Sequence, residues 1–216
     1  MRRLGTVDYA KSQALQQRLV ARRKADEIAD QLLLCQHPPV ITLGRATDRQ
    51  YLRVSEAQLA ADGIDLVHSG RGGAITYHGP GQLVAYPILK LEESRRDLHG
   101  YLRDLEEVAI LTAAHFGLEA ERVPGRTGAW VNGAKLAAIG VRASAWVTSH
   151  GLSLNVTHLK GFDLIVPCGI ADAEVTSLER LLGRPAPLLE VENALCQAFA
   201  EVFQRNLQEV SEPLFG

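Results

Sequence analysis

The sequence predicts an α+β fold, a mixed and largely antiparallel sheet packed with helices, and three observations carry that expectation. Short apolar and β-branched runs follow one another with turn residues between them, as at 31–36, 40–43 and 82–87. Helical periodicity is confined to a few long stretches, the clearest lying between Leu98 and Phe116. The two patterns do not alternate strictly, which speaks against a doubly wound parallel sheet.

Taken in order, Leu15 and Leu19 lie on a helical stripe that should end near Asp30. A strand at 31–36 is interrupted by His37-Pro38-Pro39 and resumes at 40–43, because proline cannot serve a central ladder. Ser55 and Gln58 fit a capping box for a short helix closed by Gly63, followed by a strand at 64–68. Strands at 74–77 and 82–87 flank the turn Gly79-Pro80-Gly81. The helix from Leu98 to Phe116, with Gly117 after it, should cover one sheet face. Strands are expected at 118–123, 129–131, 135–143 and 146–156, and Asn132-Gly133 signals a tight hairpin turn whose residues favour positive φ, so Lys135 should open a strand. Helices at 175–182 and 188–206 close the chain. No linker of Pro, Ser and Gly divides it, so one domain over 1–216 is expected, with a small C-terminal helical lobe at 171–216 as the alternative.

The composition bounds the function. The chain has 216 residues, 46% hydrophobic and 22% charged, with a net charge of −2 and no block of like charge. A disordered chain and a binder of nucleic acid through a basic surface are both disfavoured. No apolar run reaches the ~20 residues needed to span a bilayer. Behind Arg2-Arg3 there is no hydrophobic stretch of signal type, so a cytoplasmic location is expected. The three cysteines are widely spaced, and no Cys-x-x-Cys pair suggests zinc or a redox dithiol. Cys35 and Cys196 sit in apolar patterns and suit packing. Cys168 stands apart in Ile165-Val166-Pro167-Cys168-Gly169-Ile170, where a Pro/Gly bracket can present a side chain at a sheet end. As a pattern, that bracket suits a nucleophile and a buried thiol equally.

Gly70-Arg71-Gly72-Gly73 first suggests a phosphate cradle, yet no Gly-x-x-x-x-Gly-Lys-Ser/Thr is present and Gly79-Pro80-Gly81 opens no helix. An acid substrate would therefore have to arrive already activated. The seven histidines lack metal-ligand spacing, so no metal is expected. His78 and His150, each followed by glycine, are placed to orient a substrate or a catalytic group, and each also suits a structural role.

Five separated motifs, HPPVITLGR (37–45), RGGAITYHGPGQLVAYP (71–87), GAKLAAIGVR (133–142), SHGLSLNV (149–156) and IVPCGI (165–170), together resemble the lipoyl(octanoyl) transferase family, in order over about residues 4–205. That resemblance implies a fold like the biotin and lipoate protein ligases, related to the class II aminoacyl-tRNA synthetase catalytic domain. It implies transfer of an octanoyl group from acyl carrier protein to a lysine of lipoyl domains, the first step of endogenous protein lipoylation. The acceptors implied are the lipoyl domains of 2-oxoacid dehydrogenase E2 subunits and the glycine cleavage H protein, and the enzyme is expected to be a monomer without cofactor. Residue by residue, the resemblance makes Cys168 the nucleophile and Lys135 its acid/base partner. It places Arg71, Gly72, Gly73, Ala74, Ile75, Thr76, Tyr77 and His78, with Ala138, Ile139, Gly140, Gly151, Leu152 and Ser153, around the acyl chain and its thioester.

The residue types suit that chemistry. A thiolate is both nucleophile and good leaving group, exchange of one thioester for another is nearly isoergic, and amide formation runs downhill without ATP. A free thiol is only a few per cent ionised at neutral pH, so a neighbouring base must raise the reactive fraction, a role open to a desolvated lysine amine. Backbone N–H groups near Cys168 and in the Gly-rich segment are candidate oxyanion donors, each typically worth ~3 kcal/mol. Burying the seven carbons of an octanoyl tail beyond its carbonyl contributes about 5 to 6 kcal/mol. Small residues on the strand after Lys135, Ala138 and Gly140 among them, leave room for it. Arg45, Arg71, Arg126 and Arg142 are candidates for steering acidic partners. An ATP-dependent ligase of similar fold, an octanoyl amidotransferase and a catalytically silent binder of lipoyl domains are the competing readings; the first would form an adenylate, and Cys168 speaks against the last.

Overall fold

The computed structural model describes residues 1–166 and 174–210. Its strands are β1 (Arg2–Thr6), β2 (Gln31–Gln36), β3 (Val40–Leu43), β4 (Asp65–His68), β5 (Ile75–His78), β6 (Gln82–Ile88), β7 (Glu121–Val123), β8 (Arg126–Val131), β9 (Ala134–Ser144) and β10 (Val147–Asn155). The helices are α1 (Tyr9–Lys24), α2 (Glu56–Ala61), α3 (Leu98–His115), α4 (Leu178–Leu182) and α5 (Leu188–Phe203). A seven-stranded sheet runs β1-β2-β6-β10-β9-β8-β7, antiparallel except for the β1/β2 pair, and β4-β3-β5 forms a small mixed sheet.

The large sheet buries both faces, and period-two alternation divides its residues between them. Leu83 and Ala85 of β6 join Leu105, Val108 and Ala109 of α3 and Val191, Leu195 and Phe199 of α5 in the main core. Val84 and Tyr86 point the other way, to Leu15 and Leu19 of α1. The C-terminal helix α5 thus packs on the sheet and on α3. The small sheet has its own core, built on Ile41, Ile75, Tyr77 and Phe162.

Local signals explain most boundaries. Ser55 accepts the Gln58 N–H at 3.2 Å to cap α2, and Asp97 accepts the His99 N–H at 2.9 Å to cap α3. Asn132 and Gly133 take φ of 50° and 79° between paired Val131 and Ala134, the predicted two-residue hairpin. Four boundaries differ from expectation, the first being the end of α1, which stops at Lys24 with Ala25 as its C-cap and not near Asp30. β1, hidden by Arg2, Arg3 and Gly5, adds a parallel edge strand. Leu118 donates its N–H to Ala113 O at 3.1 Å, finishing α3 and not opening a strand. Val175 forms a parallel bridge with Lys135, so the helix expected from 175 begins at Leu178, where Ser177 caps it.

Candidate active site

Between the small sheet and the α1 side of the large sheet lies a narrow, partly open cavity. Ala74, Ile75, Thr76 and His78 on and before β5 form one wall, and Ala138, Ile139, Gly140, Gly151, Leu152 and Ser153 on the β9/β10 pair form another. Arg71, Gly73, Lys135 and His150 complete the polar part of the lining, while Tyr9, Val84 and Tyr86 close the cavity from α1 and β6. Sequence reasoning missed these last three. Tyr9 opens α1 far from every quoted motif, although the alternation of β6 already put Val84 and Tyr86 on one face.

Two expected residues do not face this space. Tyr77 points to the opposite side of β5, where its ring meets Phe162 edge-on at 5.8 Å. Gly72 donates its N–H to Val141 O at 2.9 Å, fastening the Gly-rich segment to β9 and occupying an N–H expected to be available to an oxyanion. Arg71, read as a candidate for surface steering, is buried. Its guanidinium donates to Thr42 O at 2.7 Å, to Thr42 Oγ1 at 2.9 Å and to Gly72 O at 3.0 Å. Arg45, Arg126 and Arg142 are exposed.

Lys135 owes its position to a β-bulge. Trp130 pairs with Lys135 and Ala129 with Ala137, so Leu136 is an extra residue on β9. The extra residue shifts the pleat by one. Leu136 and Ala137 both enter the main core, and Lys135 lines the same cavity as Ala138 and Gly140. The side chain is 5% exposed, and Nζ lies 4.7 Å from the centroid of the Trp130 ring, whose negative face attracts a cation. Lys135 N–H donates to Glu174 O at 2.8 Å, and Thr176 N–H donates to Lys135 O at 3.0 Å, so residues 174–176 run beside Lys135 as a short added strand. Cys168 lies outside the described residues, as do Pro167 and Gly169.

The histidines of this region are buried. His37 shares contacts of 2.6 Å with Val7 O and 2.7 Å with the Tyr86 hydroxyl. His78 stacks on Tyr9 at 5.9 Å. Burial, and then the neighbouring His37, push the His78 pKa down to about 3; burial followed by Arg71 and Arg142 push that of His150 down to about 4. Both rings are therefore neutral near pH 7. His150 holds φ of 56° within β10 and donates its N–H to Gln16 Oε1 at 2.7 Å. Of the other thiols, Cys35 is fully buried, which raises its pKa strongly, and half-buried Cys196 is raised by burial to about 11. Neither has the environment of an activated nucleophile.

A buried lysine side chain at the wall of a cavity between two packed sheets is the arrangement the fold presents. Comparison with known proteins assigns its class. Residues 8–200 match the model of the lipoyl protein ligase A/B catalytic domain. The octanoyltransferase of Rubrobacter xylanophilus is 52% identical over 206 residues, covering 94% of this chain and 92% of that protein. The solved bi-partite lipoate protein ligase of Thermoplasma acidophilum superposes with a TM-score of 0.77 at 16% identity, over 98% of this chain and 87% of its own. The biotin protein ligase of Aquifex aeolicus follows with a TM-score of 0.53 at 13% identity, over 94% and 68%. The chain belongs to the lipoyl protein ligase A/B catalytic-domain family, and within it to the octanoyltransferases. It is an acyltransferase with the α+β fold of the lipoate and biotin protein ligases. Among the described residues no helix is long and apolar enough to cross a membrane.

Proposed function

We propose that this enzyme takes an octanoyl group from octanoyl-acyl carrier protein as a thioester on Cys168 and passes it to a lysine of a lipoyl domain. The observation that carries this reading is the buried Lys135 amine at the wall of a cavity otherwise lined largely by apolar and small side chains. Thioester exchange moves the acyl carbonyl from the carrier sulfur to the Cys168 sulfur, the carrier leaving as its thiol. Lys135 takes the Cys168 proton in the first step and returns a proton to the departing sulfur. In the second step the acceptor amine attacks, the bond to Cys168 breaks, and the amine proton passes by way of Lys135 to the thiolate. The apolar walls supply the burial energy of the tail, and the tail's fit fixes the carbonyl at the cavity mouth. The acceptors on this reading are lipoyl domains of 2-oxoacid dehydrogenase E2 subunits and the glycine cleavage H protein, and the activity is cytoplasmic.

Intact mass spectrometry after mixing the enzyme with octanoyl-acyl carrier protein, with no nucleotide present, tests the proposal. The expected product is enzyme heavier by one octanoyl group, mapped to Cys168 and absent from Cys168→Ala. A protein that stays unmodified but transfers octanoate when ATP is supplied would instead be a ligase.

A further inference from the structure

Below the cavity wall, a chain of buried amides connects His78 with the strand segment beside Lys135. His78 Nδ1 lies 2.6 Å from Gln82 Oε1. Gln82 Nε2 donates to Asn155 Oδ1 at 2.8 Å and to Tyr77 O at 3.3 Å, and Asn155 Nδ2 donates to Thr176 O at 3.0 Å. His78, Gln82, Asn155 and Thr176 are 6%, 0%, 3% and 6% exposed, so water does not substitute for these partners. Thr176 in turn is tied through its N–H to Lys135 O.

The direction of every bond in this chain follows from its ends. The carbonyls of Thr176 and Tyr77 can only accept, so Asn155 turns its NH2 to Thr176 and its Oδ1 to Gln82. Gln82 then offers its NH2 to two acceptors, Asn155 Oδ1 and Tyr77 O, and its Oε1 is the atom left for His78. An amide oxygen cannot donate, so the ring proton sits on Nδ1. The opposite tautomer would set two lone pairs 2.6 Å apart in a buried site, at the cost of leaving both groups unsatisfied. Among the described residues no protein group bonds His78 Nε2, whereas both nitrogens of His37 are engaged.

We infer that Gln82 and Asn155 are positioning residues that hold His78 as the Nδ1–H tautomer, present its Nε2 to the cavity as a hydrogen-bond acceptor, and lock that ring to the backbone bracing Lys135. The inference rests on the acyl-transfer reading, in which the group to be oriented is the N–H of the incoming lysine amine. Because burial keeps the ring neutral, Nε2 retains its lone pair at neutral pH.

Ring-¹⁵N histidine labelling and long-range ¹H–¹⁵N spectra, with His78 assigned by its loss in His78→Phe, test the tautomer in the whole enzyme. Wild type is expected to show a protonated Nδ1 and a bare Nε2; the reverse pattern overturns the inference. In Gln82→Met the two tautomers should mix. The passage of octanoate from loaded enzyme to acceptor should fall roughly tenfold or more, while loading from the carrier changes far less. An unchanged passage rate overturns it. Should Gln82→Met not fold, Gln82→Glu serves: a carboxylate at the same place should hold both ring protons and suppress transfer until rising pH removes one. A singly protonated ring with an unaltered pH profile there overturns the inference. Asn155→Asp, which accepts from Gln82 but cannot donate to Thr176, should keep the tautomer yet slow transfer; a wild-type rate would refute the link to Lys135. Wild type that takes no octanoate refutes the acyl-transfer reading alone, whereas wild type that transfers with an Nε2–H ring refutes only the positioning role.

Discussion

Lys135 Nζ lies 4.7 Å from the centre of the ring of Trp130, its cross-strand partner at the bulge of β9. The pairing resolves a conflict in the sequence. Lys135 and Gly140 have opposite parity along one strand and would point to opposite faces of a regular ladder. The extra residue, Leu136, brings both to the cavity and puts its own side chain in the core with Ala137.

On the proposed acyl transfer the Lys135 amine acts as acid and base, so its removal should show in rate. Lys135→Met keeps the stem and the contact with Trp130 but removes the amine. Its fold should be retained, because the unbranched stem still fills the same place beside Trp130. Octanoyl transfer should fall by roughly 10² or more. Calorimetry and the intact-mass assay check the two halves; transfer near the wild-type rate would remove Lys135 from the chemistry.

Gly140 bears on chain length. A Cβ there would come within 3.0 Å of both Arg71 Cδ and Gly72 O, and Arg71 is anchored to Thr42, so this wall has little room to recede. Gly140→Val should therefore intrude on the cavity. Excluding two methylenes forfeits about 1.6 kcal/mol, or roughly a tenfold shift of preference from octanoyl toward hexanoyl donors. Loading rates with hexanoyl, octanoyl and decanoyl carrier protein measure it, and an unaltered profile would mean the tail lies elsewhere.

Much of this was readable from residue patterns, and the failures share a cause. Strands 31–36 and 40–43, the Ser55 cap and the Asn132-Gly133 hairpin follow from local chemistry that no tertiary contact overrides. The octanoyltransferase resemblance, read from five motifs, is borne out by the relatives and the family match. What stayed hidden depends on partners distant in sequence. Val175 looked helical because its bridge to Lys135 is made across 40 positions. Arg71 looked solvated because its acceptor, Thr42, lies 29 residues earlier. Tyr9 reaches the cavity only because α1 packs over it. The bulge at Leu136 leaves no mark in apolar alternation, since Leu136 and Ala137 are both core residues.

Glu106 supports the hairpin that carries Lys135. Its carboxylate is fully buried on α3, accepts the Gly128 N–H at 3.0 Å, and lies 2.5 Å from Arg103 and 3.2 Å from Arg122. Gly128 has no room for a side chain, a Cβ falling 2.4 Å from Ala137 O and 3.4 Å from Lys135 Cε. Glu106→Ala leaves that N–H unsatisfied and should cost about 2 kcal/mol, below the full buried-pair value because both arginines are partly solvated. Urea denaturation gives the cost. Glu106→Gln, which can still accept from Gly128, should recover part of it; equal losses for both variants would place the contribution in the ion pairs instead.

Buried neutral histidines, His78 and His150 foremost, make stability depend on pH in a definite direction. His78 and His150 have folded-state pKa values lowered to about 3 and about 4, against an unfolded value near 6.5. Above 6.5 both rings are neutral in either state and the folded protein carries no penalty. As pH falls below 6.5 the unfolded chain takes up protons that the folded chain refuses, so stability declines until the folded pKa values are reached. The slope approaches about 1.4 kcal/mol per pH unit for each ring. Urea midpoints between pH 7 and pH 5, above the range where most carboxylates titrate, should drop accordingly. His150→Asn should remove about half of the slope that these two rings contribute, His37, also lowered by burial, adding to the remainder, and a slope equal to that of wild type would mean that His150 takes up its proton as readily in the folded protein as in the unfolded chain.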